Sequence, residues 1–221
     1  MRHLTCTALA LVCAGALQAQ SPNFGLSIFL SVPSGNFAET KYKESIFDES
    51  SNDWLSIIAT EGYDVGVGGN FTMSFPLQKT LAFRVGFGGM SSKGTSTTPG
   101  YETIFLRHTL FNISGEFQIF FDDAYRHRGT YIIAGISGDF EKFERSYDDN
   151  WDYGWDDWYR DVDVERKSRL AGNVGIGHTF YGSDIKFATE ITYHSTLTNK
   201  DFNLGNPIPS DFVRISFGLV F

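Results

Sequence analysis

The clearest regularity in the chain is strict alternation. Val213, Ile215, Phe217, Leu219 and Phe221 are apolar, with Arg214, Ser216, Gly218 and Val220 between them. A period of two sends alternate residues to opposite faces of a strand, so one face is greasy and the other mostly small or polar. Tyr63, Val65, Val67, Phe71, Met73 and Phe75 repeat the pattern on one face with Gly69, against Asp64, Gly66, Gly68, Asn70, Thr72 and Ser74. Pro76 has no N–H to offer and stops that ladder. Residues 81–87 and 111–121 alternate in the same way. Four weaker segments complete the set: 24–32, 130–140, 170–180 and 185–193. In 130–140 the phase is set by placing Ile132, Ala134 and Ile136 outward, although Tyr131 and Ile133 compete for that face. No comparable stretch holds a helical 3.6-residue period.

The connections between these segments alternate in length. Short ones fall at 76–80, 122–129 and 181–184, long ones at 33–61, 92–102, 141–168 and 195–211. An even strand count, with short turns at one end and long loops at the other, predicts an all-β fold: an eight-stranded antiparallel up-and-down barrel. Two kinds of barrel share that pattern. A lipocalin-like barrel turns its apolar face inward around a small ligand, and a transmembrane barrel turns it outward to lipid. The second face decides between them. It carries mainly Gly, Ser, Thr, Asn and Ala, which suit the crowded interior of a narrow closed sheet better than a watered surface. Its charges are Asp64, Arg84, Glu116, Lys186, Glu190 and Arg214, evenly split in sign. The reading is therefore a transmembrane barrel with a small, polar lumen. Tyr63, Phe75, Tyr101, Phe121, Phe180, Tyr193 and Phe221 stand near strand ends, where membrane barrels carry aromatic girdles.

The first residues change the charge and thiol picture. Met1-Arg2-His3 is a short basic start, residues 4–16 are apolar, and Leu17-Gln18-Ala19 ends on a small residue. This is the layout of a signal peptide over residues 1–19, leaving residues 20–221 as the barrel domain. Its removal takes Arg2 away and moves the net charge from −8 to −9. Cys6 and Cys13 leave with it, so the exported chain holds no thiol chemistry. A net acidic chain without a basic cluster has no reason to seek nucleic acid.

With these features together, the chain resembles the small outer-membrane β-barrel family of Gram-negative bacteria, the group that includes the OmpA-type transmembrane domain. The resemblance implies a place in the outer membrane, surrounded by its lipid. It also implies that the terminal strand of Val213, Ile215, Phe217, Leu219 and Phe221 is read by the barrel-assembly machinery. It implies no particular activity.

Candidate chemistry is sparse. Eight strands are too few for a general porin, because water-filled channels belong to barrels of about 16 strands. In the lumen, Arg84 should meet Glu116 and Glu190 should meet Arg214, as structural ion pairs between neighbouring strands. The 141–168 connection holds Trp151, Trp155 and Trp158, three of the four tryptophans. Three readings fit it. Clustered Trp and Tyr are anchors for a partner. Asp148, Asn150 and Asp152 have calcium-ligand spacing, but Gly154 falls one place late and Tyr159 stands where the bidentate Glu belongs. The third reading is a pair of strand extensions with a solvated acidic tip. An enzyme reading rests on His194-Ser195, because some small outer-membrane barrels are lipid A deacylases or acyltransferases. Adjacent strand residues point to opposite faces, and residue 196 is Thr where that pattern wants Asn. The expectation is thus a structural or surface-interaction protein whose loops carry any specificity, with no catalytic, cofactor or metal site. A lipid A-modifying enzyme and a secreted lipocalin-like binder are the alternatives.

Overall fold

The computed structural model describes residues 21–48, 53–99, 103–146, 163–181, 185–198 and 210–221. The signal segment, the three clustered tryptophans and the calcium-like triplet lie outside them. Ten strands follow in chain order: β1 (Asn23–Pro33), β2 (Thr40–Asp48), β3 (Asp53–Tyr63), β4 (Gly66–Gln78), β5 (Leu81–Thr97), β6 (Ile104–Phe120), β7 (Gly129–Ser146), β8 (Asp163–Tyr181), β9 (Lys186–Thr196) and β10 (Phe212–Val220). A single 3-10 turn, Gly35–Phe37, follows β1.

Eight of these close a barrel in the order β1-β4-β5-β6-β7-β8-β9-β10, every pair antiparallel. Closure is made by β1 on β10, from Gly25 opposite Val220 to Pro33 opposite Phe212. The eight alternating segments of the sequence are these eight strands.

Two departures enlarge the long-loop end. The 33–61 connection, expected as a loop, is in large part the β2–β3 hairpin. Its β3 strand pairs with the far end of β5, Thr60–Tyr63 against Thr97–Gly94. Strands β3 and β4 thus share β5 as a neighbour, and the ladder breaks only at Asp64-Val65. That break reverses the alternation. Tyr63, expected on the greasy face, is buried in the lumen instead. The second departure is length. Strands β5 to β8 run past the sequence segments, with β7 and β8 paired as far as Arg145 opposite Asp163.

The apolar face points outward all around the wall. Ile28, Val67, Phe121, Ile136, Val174, Ile191 and Phe217 are each more than half exposed. Ile132, Ala134 and Ile136 face outward and Tyr131 and Ile133 inward, settling the phase of β7. On β1 the outward set runs from Phe24 to Val32. Eight steps of about 3.3 Å, along a strand tilted about 40°, make a belt about 20 Å tall.

Two close approaches explain glycines in the lumen wall. A Cβ on Gly177 would lie 2.5 Å from the Tyr131 ring, and one on Gly135 would lie 2.6 Å from Cγ of Glu116. Each glycine lets a large side chain of the neighbouring strand lie flat across it.

Candidate functional site

The barrel interior gathers almost all the buried charge, in three layers. The short-turn end is closed by Ala82, Phe120, Ala124, Tyr131 and Ile133. His127, from the turn between β6 and β7, reaches into this plug edge-on to Phe120 and Tyr131. Its backbone is left-handed, φ 48°, a conformation that few non-glycine residues adopt. Its Nδ1 lies 3.1 Å from the Thr179 hydroxyl. Burial drives the imidazole down to about 4, and the Arg84 charge adds to that.

This depression predicts an acid-sensitive turn. Between about pH 6.5 and 4 the unfolded chain binds a proton at this site and the folded chain does not. Stability is complete above about 6.5 and falls by about 3 kcal/mol as pH drops through the window. His127→Asn removes the titration while tolerating the left-handed backbone. Denaturant unfolding in detergent micelles from pH 7.5 to 4 should give a flatter profile for this variant. Identical slopes for variant and parent would refute the assignment.

Arg84 organises the middle layer. Its Nε and Nη2 contact Glu116 Oε2 at 2.7 and 2.6 Å, and its Nη1 donates to Glu190 Oε1 across the lumen. Tyr131 OH also donates to Glu190 Oε1, at 2.8 Å. Arg84 and Glu116 are direct cross-strand partners, so the register alone brings them together. The expected Glu190–Arg214 pair does not form. Ser216, not Arg214, stands opposite Glu190 on β10. Arg214 sits two residues further along, its guanidinium 4.8 Å from the centre of the Phe29 ring and 5.9 Å from that of Phe212. Among the described residues its Nε has no hydrogen-bond partner.

His194 has partners that the sequence did not disclose. Its Nε2 lies 2.8 Å from Asp139 Oδ2 and its Nδ1 lies 2.7 Å from Asn173 Oδ1. Its ring stacks on Phe212 at 4.4 Å and is fully buried. Ser195 faces the other way. Both ring nitrogens are engaged, one by Asp139 and the other by Asn173, so neither is turned to a serine, and this geometry anchors β9 to β7 and β8. Ser137 donates to the other Asp139 oxygen at 2.9 Å.

The third layer lies just beyond the last outward apolar residue of β7, Phe140. Glu141 accepts from Ser210, and its Oε1 lies 3.2 Å from His108 Nε2. Its Oε2 lies 3.0 Å from Arg169 Nε, an ion pair whose N–H is not aimed along the contact. Above Glu141, Phe37 stacks on Tyr63 at 4.7 Å and meets His108 edge-on, while Phe143 stacks on His108 at 4.6 Å. The 3-10 turn brings Phe37 back into the mouth, so the first long connection plugs the barrel. Glu61 caps this side with Arg145 at 2.7 Å, and burial raises its carboxyl against the pull of that arginine.

The cavity bounded by Ser27, Thr72, Ser74, Arg84, Tyr131 and Glu190 holds about 30 Å³, room for a water molecule. Among the described residues, ion pairs and hydrogen bonds cross the lumen in each layer. The terminal-strand residues Val213, Ile215, Phe217, Leu219 and Phe221 line the outer wall, Phe221 closing onto Phe24 through two backbone hydrogen bonds. Asp139, Glu141, His108, Arg169 and Asn173 are the lumen residues that the sequence reading missed. Asp139 and Asn173 lie inside the strand segments read there, Glu141 lies in the 141–168 connection, and His108 and Arg169 fall just outside the segments on strands that run longer than the alternation.

No family model and no curated protein sequence matches the chain. Solved structures do share its fold. The attachment invasion locus protein Ail of Yersinia pestis, in complex with the heparin analogue sucrose octasulfate, superposes with a TM-score of 0.50 at 9% identity, over 91% of this chain and 100% of that one. The outer membrane protein OprG of Pseudomonas aeruginosa superposes with a TM-score of 0.52 at 8% identity, over 92% of this chain and 97% of that one. Both are eight-stranded outer-membrane barrels, and the likeness is one of fold.

Proposed function

We propose that the chain is an integral outer-membrane barrel protein of a Gram-negative bacterium, delivered by a cleaved signal peptide. Its long-loop side faces outward as a structural or surface-interaction element. The observation that carries this is the continuous outward belt. Water would meet apolar side chains from Phe24 on β1 around to Phe217 on β10, an exposed area far beyond what a soluble monomer carries. The belt height approaches that of the apolar band of known membrane barrels, about 25 Å. The lipocalin-like alternative needs an apolar interior with room for a ligand, and the lumen instead holds ion pairs and a water-sized cavity. The same packing supports a role other than that of a general porin.

Specificity is assigned to the extensions of β2–β3, β5–β6 and β7–β8 and to the Trp-rich segment that β7 and β8 carry. Membrane fractionation with heat-modifiable gel migration tests the first part. The folded protein should remain with outer membranes and run faster before boiling. Recovery in the soluble periplasm without detergent would overturn the proposal. Replacing residues 147–161 with a short Gly-Ser turn tests the second part. The gel shift should persist while surface binding disappears. Surface binding that survives the replacement would remove the Trp-rich segment from the interaction, and no surface binding by either chain would leave a purely structural role.

A further inference from the structure

Beyond the belt, the outer wall carries an uneven distribution of charge. The geometry points to a headgroup-binding arc on β5–β8 for a lipid that bears two phosphates, a glycolipid phosphorylated at both ends of its headgroup. The inference rests on the membrane reading above.

Four bases make the arc. By alternation Lys93, Arg107, Lys142 and Arg166 project to the same outer side as Phe87, Phe111, Phe140 and Leu170 of their own strands. Each lies between one and three outward positions beyond that residue, at the long-loop edge of the belt. The register sets them in doublets: Lys93 is directly opposite Arg107, and Lys142 is directly opposite Arg166. Like charges directly opposed weaken a bare sheet. Here the arrangement occurs twice on consecutive strand pairs. Two carboxylates stand among them: Glu144, opposite Arg107 and 2.6 Å from Lys142, and the exposed Asp64, whose backbone N–H donates to the Lys93 carbonyl. The arc keeps a net positive charge in a chain whose own net charge is −8.

Among the described residues the other half of the wall has no such doublet. The corresponding outward positions hold Val32, Val65, Ser195, Leu197 and Asp211. The cations are therefore gathered on one side, and a general basic rim would not be. An amphiphile with an anionic head fits this side. Its chains would lie against Phe87, Phe111 and Phe140, and its phosphates would reach the bases through charge-assisted hydrogen bonds. The two doublets are centred two strands apart and offset by two residues along the strands, about 12 Å at the usual strand spacing and rise. One phosphate per doublet then requires two phosphates on one headgroup at about that separation.

The test uses the full mature chain in phosphatidylcholine nanodiscs. The discs are doped with lipid A carrying two phosphates, with its monophosphoryl form, or with phosphatidylglycerol at matched charge. Native mass spectrometry reads the lipid retained. The two-phosphate lipid should be kept at least about tenfold over both others, and less so at high salt. Lys93→Gln with Arg107→Gln should erase the preference for two phosphates over one while leaving monophosphoryl binding. Substitution of all four bases by Gln should abolish retention. Equal retention of phosphatidylglycerol, or full retention by the fourfold variant, would overturn the arc. A chain that never enters the disc and shows no heat-modifiable shift would overturn the membrane reading itself, a visibly different result.

Discussion

Arg84→Met is expected to destabilise the folded barrel by about 3–5 kcal/mol, the scale seen when one partner of a buried pair is removed. The methionine fills most of the arginine's volume but leaves Glu116, which is buried, and Glu190, which is largely buried, without their direct counter-charge, only Arg214 remaining nearby. Unfolding by denaturant in micelles, followed by heat-modifiable gel migration, measures the loss. Adding Glu116→Gln and Glu190→Gln to the same chain should recover most of it, because the stranded carboxylates, not the missing guanidinium, carry the cost. Arg214→Met should cost clearly less, since that side chain packs over rings and leaves no single carboxylate partner behind. Equal losses for the two arginines would contradict the arrangement.

The second large effect is an absence of current. Reconstituted in planar bilayers, the chain should stay electrically silent, because aromatic plugs stand at both ends of a charged middle. Thinning one plug alone, by Phe37→Ser with Tyr63→Ser, should leave it silent, as Phe120, Tyr131 and His127 still fill the short-turn end. Stable openings on the scale of a wide water-filled pore, from the unmodified chain, would show that the lumen admits an aqueous path.

The eight barrel strands were legible because each presents a greasy face, and a period of two is hard to imitate by chance over 7 to 13 residues, eight times in one chain. Arg84 with Glu116 could be anticipated from their nearness to a shared short turn. Glu190 with Arg214 could not be resolved that way. Nothing in the residues fixes whether β9 and β10 align those two or shift them by two places, and the ladder places Ser216 opposite Glu190. The β2–β3 hairpin escaped notice because it stands beyond the belt, where no lipid demands an apolar face. Tyr63 was misplaced for a local reason, the irregularity at Asp64-Val65, which reverses the alternation while leaving the composition unchanged. Asp139 and His194 were each visible as residues. Their meeting depends on two non-consecutive strands, β7 and β9, turning side chains into the same small space.

The β1–β10 seam governs how the molecule comes into being. Gly25 pairs with Val220, so the ladder that shuts the cylinder joins residues almost two hundred positions apart. Seven strands with any loops between them remain an open sheet with two raw edges and an uncovered greasy side. Slow, non-local pairing of this kind leaves intermediates exposed to aggregation. Closure must therefore wait for β10, and until it arrives something other than the barrel itself must shield the apolar wall.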